Sequence, residues 1–140
     1  MLPTTAERVP MNTSEAVNEL IRTRTLRNLD RAALGDRGTI DRRLAELDSE
    51  WDIERCLEVN AASVTIAGCL LGLLVNRRFF AVPALVGGFL LQHALQGWCP
   101  PLPLMRRLGV RTLNEIDDER QALLALRARK SADGLGRTLR

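Results

Sequence analysis

Between Val59 and Met105 the sequence almost lacks charge: Arg77 and Arg78 are the only formally charged residues there, in a chain that is 26% charged as a whole. Cysteine is scarce as well. Cys56, Cys69 and Cys99 are too few and too scattered for a disulfide framework or a zinc site. Aromatic residues make up 4% of the chain and do not interleave with basic ones. The sequence pI of about 9.2 therefore does not indicate nucleic acid as a partner. The first twelve residues, MLPTTAERVPMN, have no apolar core, so no secretory signal is read there. No nucleophile–base pair, phosphate-cradling glycine loop or carboxylate pair stands out. The expectation is a non-enzymatic protein with no cofactor and no metal.

What is present is the uncharged stretch itself. Residues 59–76 run without a charge, roughly 27 Å as a helix, close to the hydrocarbon thickness of a bilayer. Val64, Ile66, Leu70, Leu71, Leu73, Leu74 and Val75 together favour insertion by about 3 kcal/mol. A soluble helix of this length would carry a polar face, and this one has none. Residues 79–98 form the second span, with Pro83 near its start, and Pro100, Pro101 and Pro103 stop it. The fold class read from the sequence is all-α: a two-helix transmembrane hairpin (59–105) flanked by amphipathic cytoplasmic helices.

The flanks are dense in charge. Residues 1–58 carry nine Arg against twelve acids, and residues 106–140 carry nine basic residues against five acids. Residues 1–12 are expected to be disordered. Region 13–58 reads as amphipathic helix, broken at Gly35–Gly38 and resuming after Thr39. Ile40, Leu44, Leu47 and Trp51 make an a/d-like stripe too short for a coiled coil. Region 106–130 reads as a C-terminal amphipathic helix. Thr112 and Glu115 match a capping box, and Ile116, Leu123 and Leu126 form its apolar stripe. Residues 131–140 are expected to be a flexible tail.

Ala61, Thr65, Gly68 and Gly72 form a small-residue stripe on the first span, and Ala84 and Gly88 repeat the spacing on the second. Such stripes let helices approach closely in lipid. They serve either the hairpin or a second copy. Gln92, His93 and Gln96 lie within about 100° on one helix. Groups at this depth face protein or water rather than lipid, so they make interhelical hydrogen bonds or, in an oligomer, an ion path. Trp98, Arg77, Arg78, Arg106 and Arg107 read as anchors at the membrane surface. Arg42, Arg43, Arg55, Arg106, Arg107, Arg111 and Arg120 border the spans on one side, against Arg77 and Arg78 in the turn. That bias places both termini in the cytoplasm of a multi-pass protein.

Gly97-Trp98-Cys99-Pro100 closes an apolar helix, and Leu108-Gly109-Val110 follows a short turn. These residues resemble the YgaP-like transmembrane domain family over roughly residues 50–112. The resemblance implies a small helical-hairpin domain of the bacterial inner membrane, association as a dimer, and a link to sulfur handling. Some members carry a rhodanese domain before the hairpin. Residues 1–58 are too short and too helical for one, so sulfurtransferase activity does not carry over. The resemblance singles out Cys99 as a thiol that accepts persulfide sulfur or senses oxidants. The reading beside it is a packed helix stop, since a helix C-terminus disfavours a thiolate.

Three functions follow in order. The first is a membrane anchor and interaction module, in the bilayer and associating with a second copy or another protein. The second is a redox or sulfur relay through Cys99. The third is an oligomeric channel through Gln92 and His93.

Overall fold

A computed structural model describes residue 4 and residues 6–138, with residues 133–138 described by backbone alone. Every regular element among the described residues is helical. In chain order they are α1 (Arg8–Met11), α2 (Glu15–Leu34), α3 (Arg37–Ser49) and α4 (Ile53–Leu74), then a 3₁₀ turn (Arg77–Phe80), α5 (Ala81–Gln96), α6 (Leu102–Arg107) and α7 (Leu113–Thr138).

Helices α2, α3 and α7 pack around Ala32, Ile40, Leu47, Ile116 and Leu123, with Leu29, Leu44 and Leu126 against them. The stripes read from the sequence on α3 and α7 thus meet each other. Ile40, Leu47 and Leu123 are wholly buried, each burial contributing about 1.5–3 kcal/mol. Trp51 does not continue the stripe. Helix α3 ends at Ser49, and Trp51 lies 45% exposed with the Arg55 guanidinium 4.2 Å above its ring. Helix α3 also starts earlier than expected. Asp36, not Thr39, is the N-cap: its carboxylate accepts from the Thr39 N–H at 2.8 Å and the Thr39 hydroxyl at 2.7 Å.

Two helical stretches, within Arg37–Leu74 and within Arg77–Gln96, are long and apolar enough to cross a membrane. Asp52 caps α4 by accepting from the Arg55 N–H, so the helix begins six residues before the expected span. Helices α4 and α5 lie side by side in opposite directions. Gly68 of α4 abuts Val82 and Pro83, and Gly72 abuts the Phe80 ring: a Cβ on Gly68 would sit 2.8 Å from Pro83 Cδ, and one on Gly72 3.0 Å from the ring. The first half of the small-residue stripe is therefore a contact, with Ala61 buried and Thr65 half-buried. The second half is not: Ala84 and Gly88 are exposed, and nothing lies within 4 Å of a Cβ built on Gly88. The face of α5 turned to α4 instead carries Val82, Pro83 and His93.

Three further expectations are corrected. The described part of residues 1–12 is ordered: α1 forms one turn, and Val9 inserts among Ile53, Leu57, Cys99 and Leu102. One apolar side chain and two polar ones that find distant partners outweigh the cost of ordering this short segment. Residues 1–3 and 5 lie outside the described residues. The proline segment is not merely a stop, because Pro101 is the N-cap of α6 and Pro103 sits in its first turn, where proline is tolerated. Helix α7 continues past Lys130 to Thr138, through most of the expected tail; residues 139–140 lie outside the described residues.

Candidate functional site: the base of the helical pair

The residues singled out by sequence converge where α1, the start of α4, the end of α5 and α6 meet. Helix α5 ends at Gly97 in a left-handed conformation (φ 77°), its N–H bonded to the His93 carbonyl at 2.7 Å. A Cβ there would lie 2.4 Å from the Arg8 carbonyl oxygen, so glycine is required by both backbone and space. Arg8 donates to the Ala94 carbonyl at 3.0 Å, and Asn12 donates to the Gln96 carbonyl at 2.8 Å. These are among the carbonyls a helix end leaves unpaired. A cation at that end also complements the helix dipole. Helix α1 is thus a cap for α5, delivered from a distant part of the chain.

Beneath the cap lies a polar triad. Arg8 Nη2 donates to Glu54 Oε1 at 2.8 Å, and Glu54 Oε2 meets His93 Nε2 at 3.0 Å. His93 is buried, with Nδ1 unpartnered among the described residues. Its neighbours diverge: Gln92 is half-buried and Gln96 exposed. Among the described residues, His93 is the one of these three whose side chain makes a hydrogen bond to another helix. The sequence did not single out Arg8, Asn12 or Glu54. Their partners lie 39 or more residues away, and no local pattern encodes that.

Cys99 is 3% exposed and packs with Val9, Ile53, Leu57 and Leu102. Burial pushes its thiol up from the ordinary value, and the Glu54 carboxylate adds to the shift. Cys99 thus has the surroundings of a packed thiol. An apolar cavity of about 180 Å³ opens beside it, between Leu57, Ala61, Val86, Phe89 and Pro100. Trp98 is half-buried, whereas Arg77, Arg78 and Arg107 are exposed.

Arg106 is not an anchor. It is 1% exposed, and all five of its N–H donors are used. Nε donates to Thr13 Oγ1, Nη1 to the Val110 carbonyl and Glu115, and Nη2 to Asn18 and Glu115, at 2.7–3.2 Å. Its turn in α6 points it inward, where a bidentate carboxylate waits. Glu115 also closes the capping box of α7: its Oε2 accepts from the Thr112 N–H at 2.7 Å, and Thr112 Oγ1 accepts from the Glu115 N–H at 3.2 Å. Burial alone would raise the Glu115 carboxyl; the hydrogen bonds from Arg106 and Thr112 outweigh it and hold it low.

A second network ties the bundle together. Arg111 binds Glu50 bidentately at 2.7 and 2.8 Å, and also reaches Glu119 and Thr25. Arg43 meets the same Glu119 at 2.7 Å. Glu119 is wholly buried. Burial would raise its carboxyl, but the bonds from Arg43 and Arg111 prevail and lower it.

No group of three or more His, Cys, Asp or Glu suited to a metal occurs among the described residues. No family model matches the chain, and no curated protein and no solved structure matches it.

Proposed function

We propose that this chain is a multi-pass membrane protein in which α4 and α5 cross the bilayer as a hairpin and anchor the α2–α3–α7 bundle as an interaction module. One observation carries the reading. Only 22% and 6% of the residues in the two apolar windows are buried within the chain, whereas a soluble protein's core helix is mostly buried. Leu73, Leu74, Val75, Leu85 and Leu91 are each more than 60% exposed. An apolar surface of that extent requires lipid or protein over it. At 16 residues α5 spans roughly 24 Å, and the 3₁₀ turn before it adds about 8 Å, enough to reach across with α4.

The bundle and both ends of the chain belong on the cytoplasmic side, by the excess of arginines flanking the hairpin base. The resemblance of GWCP and the following Leu-Gly to the YgaP-like family fits the bacterial inner membrane and a dimer. The exposed Ala84–Gly88 edge of α5 is where a second copy's helix would approach. Burial of Cys99 favours the packing role for that thiol over a sulfur relay.

The test is to express the full chain in bacteria and wash isolated membranes with alkaline carbonate. Retention in the pellet, with release only by detergent, supports the proposal. Release by carbonate, or a soluble monodisperse protein, overturns it.

A further inference from the structure

A polar cavity lies between α2 and α3. It encloses about 460 Å³ and is lined by Arg24, Asn28, Arg31 and Ala32 of α2 and by Thr39, Arg42, Arg43 and Glu46 of α3. That volume lies within the range of small-molecule sites.

Its charges are unbalanced. Arg43 is committed, donating to Glu119 and Glu46. The Asp36 carboxylate accepts twice from Thr39, and the Arg42 charge acts on it as well. Arg24, Arg31 and Arg42 are exposed and have no carboxylate within salt-bridge distance among the described residues, as also holds for Arg27, Arg37, Arg55, Arg107 and Arg129; what sets the three apart is that they line one groove. Arg24 closes one end, its Nη1 lying beside Gly109. The half-buried Asn28 amide makes no side-chain hydrogen bond among the described residues.

The contrast across α2 is informative. A groove of about 420 Å³ on its other side, toward α7, is lined by Glu15, Glu19, Glu115 and Asp118 with Arg22 alone against them. Two neighbouring grooves of similar size therefore carry opposite charge. Surfaces with no electrostatic task intersperse the two signs. Arginines gathered in a concavity focus positive potential and raise the local concentration of anions. The planar guanidinium matches phosphate oxygens bidentately.

We infer that the α2–α3 groove is a binding site for a small soluble anion carrying two or more phosphate groups, with Arg31 and Arg42 as its principal ligands and Asn28 as a neutral donor. The apolar hairpin plays no part in this inference, which stands whether or not α4 and α5 cross a membrane. Helices α2 and α3 meet at Gly35–Asp36, at the end of α3 remote from α4. The phosphate source is therefore a soluble compound rather than a lipid headgroup.

The test is calorimetric titration of the full chain with sodium pyrophosphate, in nanodiscs of zwitterionic phosphatidylcholine. Saturable binding, one site per chain, is expected, weakened at least tenfold by the double substitution Arg31→Gln, Arg42→Gln. The double substitution Arg107→Gln, Arg129→Gln removes the same charge outside the groove and should change affinity less than threefold. No saturable heat, or equal weakening by both pairs, overturns the inference. Repeating the titration in discs containing phosphatidylglycerol separates the sources. Unchanged affinity supports the soluble ligand; loss of pyrophosphate binding there means that lipid headgroups occupy the groove, and overturns it.

Discussion

The α4–α5 pair and the α2–α3–α7 bundle treat the same residue types in opposite ways. In the bundle Leu47 is 2% exposed and Leu123 0%; in the pair Leu73 is 73% exposed and Leu74 81%. In the bundle arginine and glutamate are gathered inward, Arg111 and Glu119 being buried against each other. In the pair arginines lie only at the two ends, Arg55 in the first turn of α4 and Arg77 and Arg78 at the 3₁₀ turn. With the bundle in water and the pair in lipid, as proposed, hydrophobic burial drives the bundle. It cannot drive the packing of two helices whose outer faces are already apolar. There the close approach at Gly68 and Gly72 does the work instead. On the proposed reading, one chain is written for two solvents.

The largest effect on this contrast should come from breaking a buried charge pair in the bundle. Arg111→Ala leaves Glu119 buried with one cation fewer. It is expected to cost about 3–5 kcal/mol, read as a lower midpoint in denaturant unfolding followed by circular dichroism in detergent. An undisturbed midpoint would mean that the network is solvated and the bundle held by its leucines alone.

A sharper comparison places one new charge in each region. Leu70 on α4 and Leu20 on α2 are both about half exposed. In water the two substitutions to arginine would be equivalent. If lipid covers α4, Leu70→Arg costs about 2.5–3.5 kcal/mol of insertion, whereas Leu20→Arg stays within about 0.5 kcal/mol. The measurement is the fraction of each variant recovered in the membrane pellet; equal recovery would erase the proposed difference between the regions.

The junction between the two regions can be loosened at Gly97. Gly97→Ala meets the Arg8 carbonyl and a left-handed backbone, at a cost of about 1–3 kcal/mol. The expected result is faster protease cleavage within residues 6–12, with the bundle's unfolding midpoint little changed.

The smallest expected effect concerns pH. Glu115 and Glu119 both have carboxyls held below their ordinary value of 4.5 in the fold. A depressed folded-state value means that their stabilisation is complete above the unfolded value and is lost as pH falls through the folded one. The bundle's denaturation midpoint should therefore be flat from pH 7 to about 5, then fall toward pH 3. A midpoint that rises on acidification would contradict the sign.

Much of this division was legible in the sequence, because each half obeys a local rule. The absence of charge between Val59 and Met105 marked the helical pair, the spacing of Ile40, Leu44 and Leu47 marked the core face of α3, and Thr112 with Glu115 marked the start of α7. What escaped was long-range. Val9 buries itself against Ile53 and Leu102, and Arg8 and Asn12 cap a helix more than eighty residues away. Neither choice leaves a periodic trace. Arg106 was misread for a related reason. Its place beside a proline-bounded apolar helix matched a surface anchor, while its real partners, Thr13, Asn18 and Glu115, come from three different segments. The small residues Ala84 and Gly88 lie off the contact with α4, which leaves them for the second copy that the spacing equally allowed; spacing alone does not say which face of α5 meets α4.

The central claim is that lipid covers the outer face of α4 and α5 while water surrounds the bundle. Spin labels at positions 73 and 85, and at positions 20 and 124, in a background lacking Cys56, Cys69 and Cys99, test it directly in reconstituted vesicles. At positions 73 and 85, collisions with apolar oxygen should dominate those with a water-soluble nickel chelate; at positions 20 and 124 the order should reverse. Nickel accessibility at 73 and 85 equal to that at 20 and 124 would contradict the claim.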